Sequence, residues 1–252
     1  MSILENKIAI VTGAGQGVGR GIAIALAKEG AAIAIPEINF ERAVMTADEI
    51  TSFGGRALAI PCDVCDRAQV NAAVAKTIGA FGTVDILVNN AQNAHPGVPI
   101  EQETDDGWHL TFQSGIHATF YFMQACFPYM KDRGGRIMNL ASMAGLSGVT
   151  GMSAYAANKE AIRGLSRVAA NEWGQYNINV NVIIPWSSAP SWEQFQKEFP
   201  DVASASIAQN PMRRVGDSEK DVGRVAVFLA GPDSTYVNGL NIPVDGGMAV
   251  LR

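Results

Sequence analysis

Tyr155 and Lys159 stand four residues apart, with Ser142 thirteen residues upstream, in the stretch LASMAGLSGVTGMSAYAANKEAI. If 152–172 is helical, positions i and i+4 share one face, and the Lys159 ammonium comes to lie beside the Tyr155 phenol. A free tyrosine titrates near pH 10, too high for acid–base work at neutral pH. A neighbouring cation favours the phenolate, whereas burial disfavours it. Bringing the phenol to pH 7 takes about three units, roughly 4 kcal/mol of differential stabilisation. Tyr155 would also sit in the first turn of its helix, where the macrodipole favours negative charge. Ser142 could then hold a substrate oxygen while Tyr155 moves the proton. Taken alone, a Tyr/Lys pair at this spacing also fits an ordinary helix surface.

The elements that would position these residues begin at the N-terminus. In KIAIVTGAGQGVGRGIAIALAKEGA a short apolar run, Ile8 to Val11, meets a glycine cluster and then a helical pattern. Gly13, Gly17 and Gly19 lack a Cβ, so the backbone can take positive φ and approach a pyrophosphate closely. The following helix offers free N–H groups and positive dipole to that anion. The spacing is G-x-x-x-G-x-G rather than the G-x-G-x-x-G fingerprint, so the match is to the mechanism and not to the letter. A second apolar run, Ala31 to Ile35, ends at Glu37. That carboxylate can accept from both ribose hydroxyls of an adenosine and would repel a 2′-phosphate. Gln16 in the turn is not basic, so NAD is expected over NADP, with Arg42 nearby as a complication.

Together these residues resemble the short-chain dehydrogenase/reductase family in its single-domain form. The resemblance runs in order along essentially the whole chain: TGAGQGVG at 12–19, CDV at 62–64, NNA at 89–91, Ser142, YAANK at 155–159 and VDGG at 244–247. It implies that Tyr155 is the catalytic acid/base, that Lys159 lowers its pKa and binds the nicotinamide ribose, and that Ser142 orients the substrate oxygen. It implies that Gly13, Gln16, Gly17, Val18 and Gly19 carry the pyrophosphate turn. Asp63 and Val64 would border the adenine, and Asn90, Ala91 and Pro185 would line the cofactor cleft.

Three departures stand out. Gln92 follows NNA where the family commonly has glycine. Counting from Trp108 and back from Ser142 places Gly115 where the family carries an Asn that props a helix kink and holds a proton-relaying water; Ser114 and His117 are the candidate substitutes. Trp186 follows Pro185 in place of glycine, and Pro190 stands near the expected Thr, so Trp186 would crowd the nicotinamide pocket or wall off the substrate.

Bulk properties suit a soluble enzyme. The chain has 252 residues and a formal net charge of −5, enough length for one α/β domain over 1–252 and the wrong sign for a nucleic-acid surface. No apolar stretch reaches the roughly 18 residues of a spanning helix, no basic run suggests a lipid surface, and MSILENKIAIVTG lacks a signal peptide's regions. A cytoplasmic location is the default expectation. Three cysteines make no disulfide framework; Cys62 and Cys65 have C-x-x-C spacing but read best as small residues flanking Asp63. His95, His109 and His117 lack metal-ligand spacing, so no metal is expected, though His95 could reach a substrate.

Strands are expected near 7–12, 32–36, 57–61, 84–88, 135–140, 178–183 and 240–244, and helices near 18–29, 40–54, 67–80, 105–131, 152–175 and 218–230. This alternation predicts a doubly wound parallel sheet of the Rossmann type, seven strands with helices on both faces. The Gly turn, Glu37, Asp63, Asn90, Ser142 and Pro185 all fall at strand ends on one side, where such sheets bind ligands. Residues 186–215 break the alternation and read as a substrate lid. Trp186, Trp192, Phe195 and Phe199, with Met143 and Met152, would make the substrate side apolar. The expected substrate is therefore a hydrophobic secondary alcohol or ketone, cyclic ones included. The apolar helix near 115–130 and the C-terminal IPVDGGMAVLR suggest a homotetramer. The rival is a catalytically weakened dinucleotide-binding regulatory or scaffold protein on the same fold; a third reading is redox-neutral dehydration or epimerisation.

Overall fold

A computed structural model describes residues 2–249. The strands β1 (Ile8–Val11), β2 (Ala32–Glu37), β3 (Arg56–Pro61), β4 (Ile86–Asn89), β5 (Gly135–Leu140), β6 (Ile178–Pro185) and β7 (Asn241–Val244) form one parallel sheet in the order 3-2-1-4-5-6-7. The order reverses between β1 and β4, whose register sets Ala9 against Ile86 and Val11 against Val88. A crevice opens at such a switch point beyond the strands' carboxyl ends.

Both faces are covered, which is why β1 is apolar throughout and β4 is apolar up to Asn89. Ala9, Val11, Ile33, Ile35 and Val88 point to one face, where α1 (Gly17–Lys28), α2 (Phe40–Ser52) and α10 (Arg224–Ala230) pack. Ile10, Ala34, Leu87 and Val180 point to the other, under α3 (Arg67–Phe81), α5 (Ala118–Met130) and α7 (Ser153–Trp173).

The helix expected over 105–131 is interrupted. It comprises α4 (Asp105–Phe112), a π-helical turn (Gln113–His117) and α5. On α5, Phe122, Met123, Cys126 and Met130 are buried while Phe120 and Tyr129 are exposed, so one face meets the core and another does not. Two further helices, α8 (Pro190–Glu198) and α9 (Pro200–Gln209), occupy the segment expected to be a lid. The short α6 (Met143–Ser147) has no counterpart among the expected elements; it lies within the connection between β5 and α7. Among the described residues no helix is long and apolar enough to cross a membrane. The last three residues of the apolar C-terminal tail lie outside the described residues.

Candidate active site

The turn after β1 is built on close approaches. A Cβ on Gly13 would meet the Ala91 Cα at 2.8 Å, and one on Gly19 would run into the Asn90 amide and the Gly13 carbonyl. Gly13 (φ 64°) and Gly17 (φ 56°) both take the left-handed region. Gln16 caps α1 without a side-chain bond, so the first-turn N–H groups remain free to face an anion. Thr12 locks the turn to β4: its hydroxyl accepts from the N–H groups of Asn90 and Ala91, both at 3.0 Å. The Asn90 amide donates to the carbonyls of Thr12 (2.9 Å) and Gly13 (3.1 Å).

Glu37 ends β2 and is buried. Its carboxylate accepts from the N–H of Gly15 and of Asn39, both at 3.1 Å, which fixes it at the crevice edge. Arg42, in the first turn of α2, donates to the Gln16 side chain at 2.6 Å. Gln16, Glu37, Asp63, Val64 and Asn90 line one cleft of about 510 Å³. Asp63 accepts from the Cys65 N–H at 2.9 Å, holding the adenine-side loop. Burial pushes the Cys62 thiol up to about 12 and the Cys65 thiol up to about 11, so neither is a ready nucleophile. These features fit a dinucleotide: a backbone cradle that side chains would fill, a free helix N-terminus and a fixed carboxylate, at successive strand ends.

Ser142 is the N-cap of α6, its hydroxyl accepting from the Ala144 N–H at 3.2 Å. Tyr155, in the first turn of α7, lies near the same hydroxyl. Burial pushes the Tyr155 phenol above its ordinary value, and the nearby Ser142 hydroxyl draws it back down. Lys159 is buried; its Nζ donates to the Leu140 carbonyl at 2.9 Å and lies over the Tyr155 ring, 5.4 Å from the centroid. Desolvation pulls this amine down to about 7. Ser142, Tyr155 and Lys159 are thus brought together at the carboxyl end of β5.

The departures resolve differently from expectation. A Cβ on Gly115 would overlap the side-chain amide of Asn158, which fills that space from α7. Neither expected substitute faces Lys159. Ser114 bonds Asn93 and the Leu110 carbonyl, and His117 is exposed, edge-on to Tyr121. Gln92 accepts from Asn158 at 2.8 Å. Trp186 stands edge-on to Trp192, centroids 5.4 Å apart, and lines a cavity with Met212 and Val244. The ladder continues through Phe195 to Phe199, while Ala189 and Pro190, at the base of α8, close one side of the cleft beside Gly17.

Pro185 ends β6 opposite Val244 and is not among the cleft-lining residues. His95 is exposed and faces Glu103 at 3.4 Å. Met143 packs with Ala141, Val182 and Ile184. Thr12 and Asn158 were not legible as site residues. The signal for Asn158 was a glycine inside a helix, a gap that a neighbour must fill.

A family model described as Enoyl-(Acyl carrier protein) reductase matches residues 13–249. The chain is 42% identical to a 12alpha-hydroxysteroid dehydrogenase of Clostridium sp., over 98% of both chains. It is 32% identical to a cyclohexanol dehydrogenase of Acinetobacter sp., over 96% of this chain and 94% of that one. The structure of a 7 alpha-hydroxysteroid dehydrogenase complexed with NADH and 7-oxo glycochenodeoxycholic acid superposes with a TM-score of 0.90 at 33% identity, covering 97% of this chain and 94% of that chain.

Proposed function

The chain belongs to the short-chain dehydrogenase/reductase family, oxidoreductases that transfer hydride to or from NAD(P)(H), and from that premise we propose that it is an NAD-dependent dehydrogenase of hydrophobic cyclic secondary alcohols, hydroxysteroids being the first class to test. The convergence of Ser142, Tyr155 and Lys159 at the carboxyl end of β5, on the strand-end side that also carries the Gly turn, carries the reading. Glu37 supports NAD: both of its oxygens are already aimed by backbone N–H groups, and a 2′-phosphate beside this carboxylate would meet like charge. The aromatic ladder of the lid and the hydroxysteroid relatives support the substrate class.

A buried Tyr–Lys pair suits proton transfer for a simple reason. Isolated, each burial penalty favours a neutral side chain, as the raised phenol and lowered amine show. A proton passed from phenol to amine leaves the net charge unchanged and sets the two new charges side by side, so each offsets the other's desolvation. In oxidation, the Tyr155 phenolate takes the hydroxyl proton while Ser142 donates to the substrate oxygen. Bound nicotinamide supplies the acceptor for the hydride that leaves the carbinol carbon. In reduction the same residues run backwards, Tyr155 giving its proton to the carbonyl oxygen as hydride arrives.

The features that would favour a mere binder have other accounts here. Asn158 occupies the space at Gly115, and Trp186 packs edge-on to Trp192 of the lid. Cytoplasmic location and assembly into homotetramers remain part of the proposal.

The test is oxidation of cyclohexanols and hydroxysteroids at mildly alkaline pH, with NAD and NADP separately, followed by reduced-nicotinamide absorbance. NAD-dependent turnover that Tyr155→Phe abolishes is expected. A wild-type protein that binds NADH but oxidises none of the panel would overturn the reading in favour of the binding protein.

A further inference from the structure

Gln92, Gly115 and Asn158 are parts of one hydrogen-bond chain. The Ile116 N–H donates to Asn158 Oδ1 at 2.8 Å, Asn158 Nδ2 donates to Gln92 Oε1 at 2.8 Å, and Gln92 Nε2 donates to the Thr111 carbonyl at 3.0 Å. The chain leaves and re-enters the same helix, at the backbone of Thr111 and of Ile116. Two side-chain amides are thus spliced into the helix where its π-helical turn lies. Side chains inserted into a helical ladder open it in this way, and such turns recur at functional sites.

The polarity of the chain is fixed from both ends. A backbone N–H only donates and a carbonyl only accepts, so each amide can stand in one orientation alone. Asn158 is wholly buried, and loss of either link would strand a buried polar group. The pair also joins two functional parts. Asn158 immediately precedes Lys159 on α7, less than a turn after Tyr155, and Gln92 lines the dinucleotide cleft just beyond β4. Gly115 is the residue that admits the amide.

We propose that Asn158 and Gln92 are a positioning pair that sets the Tyr155–Lys159 turn of α7 at the proper distance from the nicotinamide end of the cleft. The proposal rests on the dehydrogenase reading above. Neither residue moves a proton; they act through the placement of Tyr155 and Lys159, where a displacement of an ångström can cost up to about 100-fold in rate.

The test compares Asn158→Ala, Gln92→Ala, their double variant and the isosteric Asn158→Asp and Gln92→Glu. Three quantities are measured: the pH profile of kcat, the affinities for NADH and for ADP, and Tm. Each single variant is expected to lower kcat by about tenfold or more and to displace the pH profile. NADH affinity should fall several-fold relative to ADP, because ADP lacks the ribose that Lys159 would hold. The double variant should be no worse than the poorer single, as for residues acting as a unit. Neither isostere should rescue. In Asn158→Asp the new carboxylate has no N–H to give to Gln92, and in Gln92→Glu an acceptor replaces the donor that meets the Thr111 carbonyl. Gln92→Glu, at the half-buried end, keeps the test open if Asn158→Ala does not fold. Unchanged kcat and pH profile in both single variants would overturn the proposal. So would equal weakening of NADH and ADP together with a lowered Tm, the pattern of a merely structural contact. If the wild type oxidised no alcohol, the dehydrogenase reading alone would fall, and the NADH-to-ADP ratio would still decide for or against the pair.

Discussion

Lys159 is the most consequential single side chain, because it is an amine held out of water with a backbone carbonyl as its partner. Its folded-state pKa of about 7 lies below the ordinary 10.5. The unfolded chain therefore binds more protons between these values, and the contribution of this group to stability rises with pH across that window. The Tm of wild type relative to Lys159→Met should accordingly climb from pH 7 to pH 10, as differential scanning calorimetry on the two proteins can check; a flat difference would show that the amine is not depressed. Tyr155→Phe removes the proton carrier but leaves the cleft, so kcat should fall by at least about 100-fold while the Kd for NADH moves little. Glu37→Ser tests the cofactor edge. With the repelling carboxylate gone and Arg42 close by on Gln16, a 2′-phosphate meets a cation without a competing anion, and the NAD-over-NADP ratio of kcat/KM should drop by tenfold or more, about 1.4 kcal/mol. At this scale the sequence was informative wherever spacing along one element sets proximity: Tyr155 and Lys159 share α7, and Glu37 ends β2. It was silent on Asn158, whose partners come from two other elements.

At the scale of elements, the glycines mark where two segments touch. The approach of the Gly19 Cα to the Asn90 amide leaves no room for a methyl group. Gly19→Ala should push the turn away from β4, costing about 1–3 kcal/mol of stability and weakening NADH at least as clearly, by equilibrium unfolding and fluorescence titration. The seven strands were legible because buried parallel strands are short apolar runs bounded by turn residues. The break at Gln113–His117 was marked only by Gly115; the amide that fills it comes from α7, and no local pattern records that. Nor was the orientation of Trp186. The sequence left it either crowding the nicotinamide pocket or walling off the substrate; its backbone N–H pairs with the Val244 carbonyl at 3.0 Å, and its ring packs edge-on to Trp192 of the lid. Trp192 joins that ladder from α8, so Trp192→Ala is expected to raise KM for a bulky cyclic alcohol several-fold, with kcat for a small one nearly unchanged.

The whole molecule is one sheet whose ligand side is assembled from nearly every strand end, and whose outer face leaves Trp108, Leu110, Phe120 and Tyr129 partly exposed on α4 and α5. That face is the basis for proposing a homotetramer, and light scattering should give four times the 26.7 kDa of the chain; a monomeric mass would refute it. The position of β1 has a consequence for how the chain reaches this state. β1 lies in the middle of the sheet, yet its β4 neighbour begins only at Ile86, and the Ile8 N–H is satisfied by the Asp85 carboxylate across a separation of 77 residues. Pairing over such distances must close a long loop before any contact repays it. The floor of the crevice, Thr12 against Asn90, is thus a late event in the N-terminal half. A nascent chain that has not yet reached β4 has β1 with one bare edge, and refolding from denaturant should regain secondary structure well before it regains the capacity to bind dinucleotide.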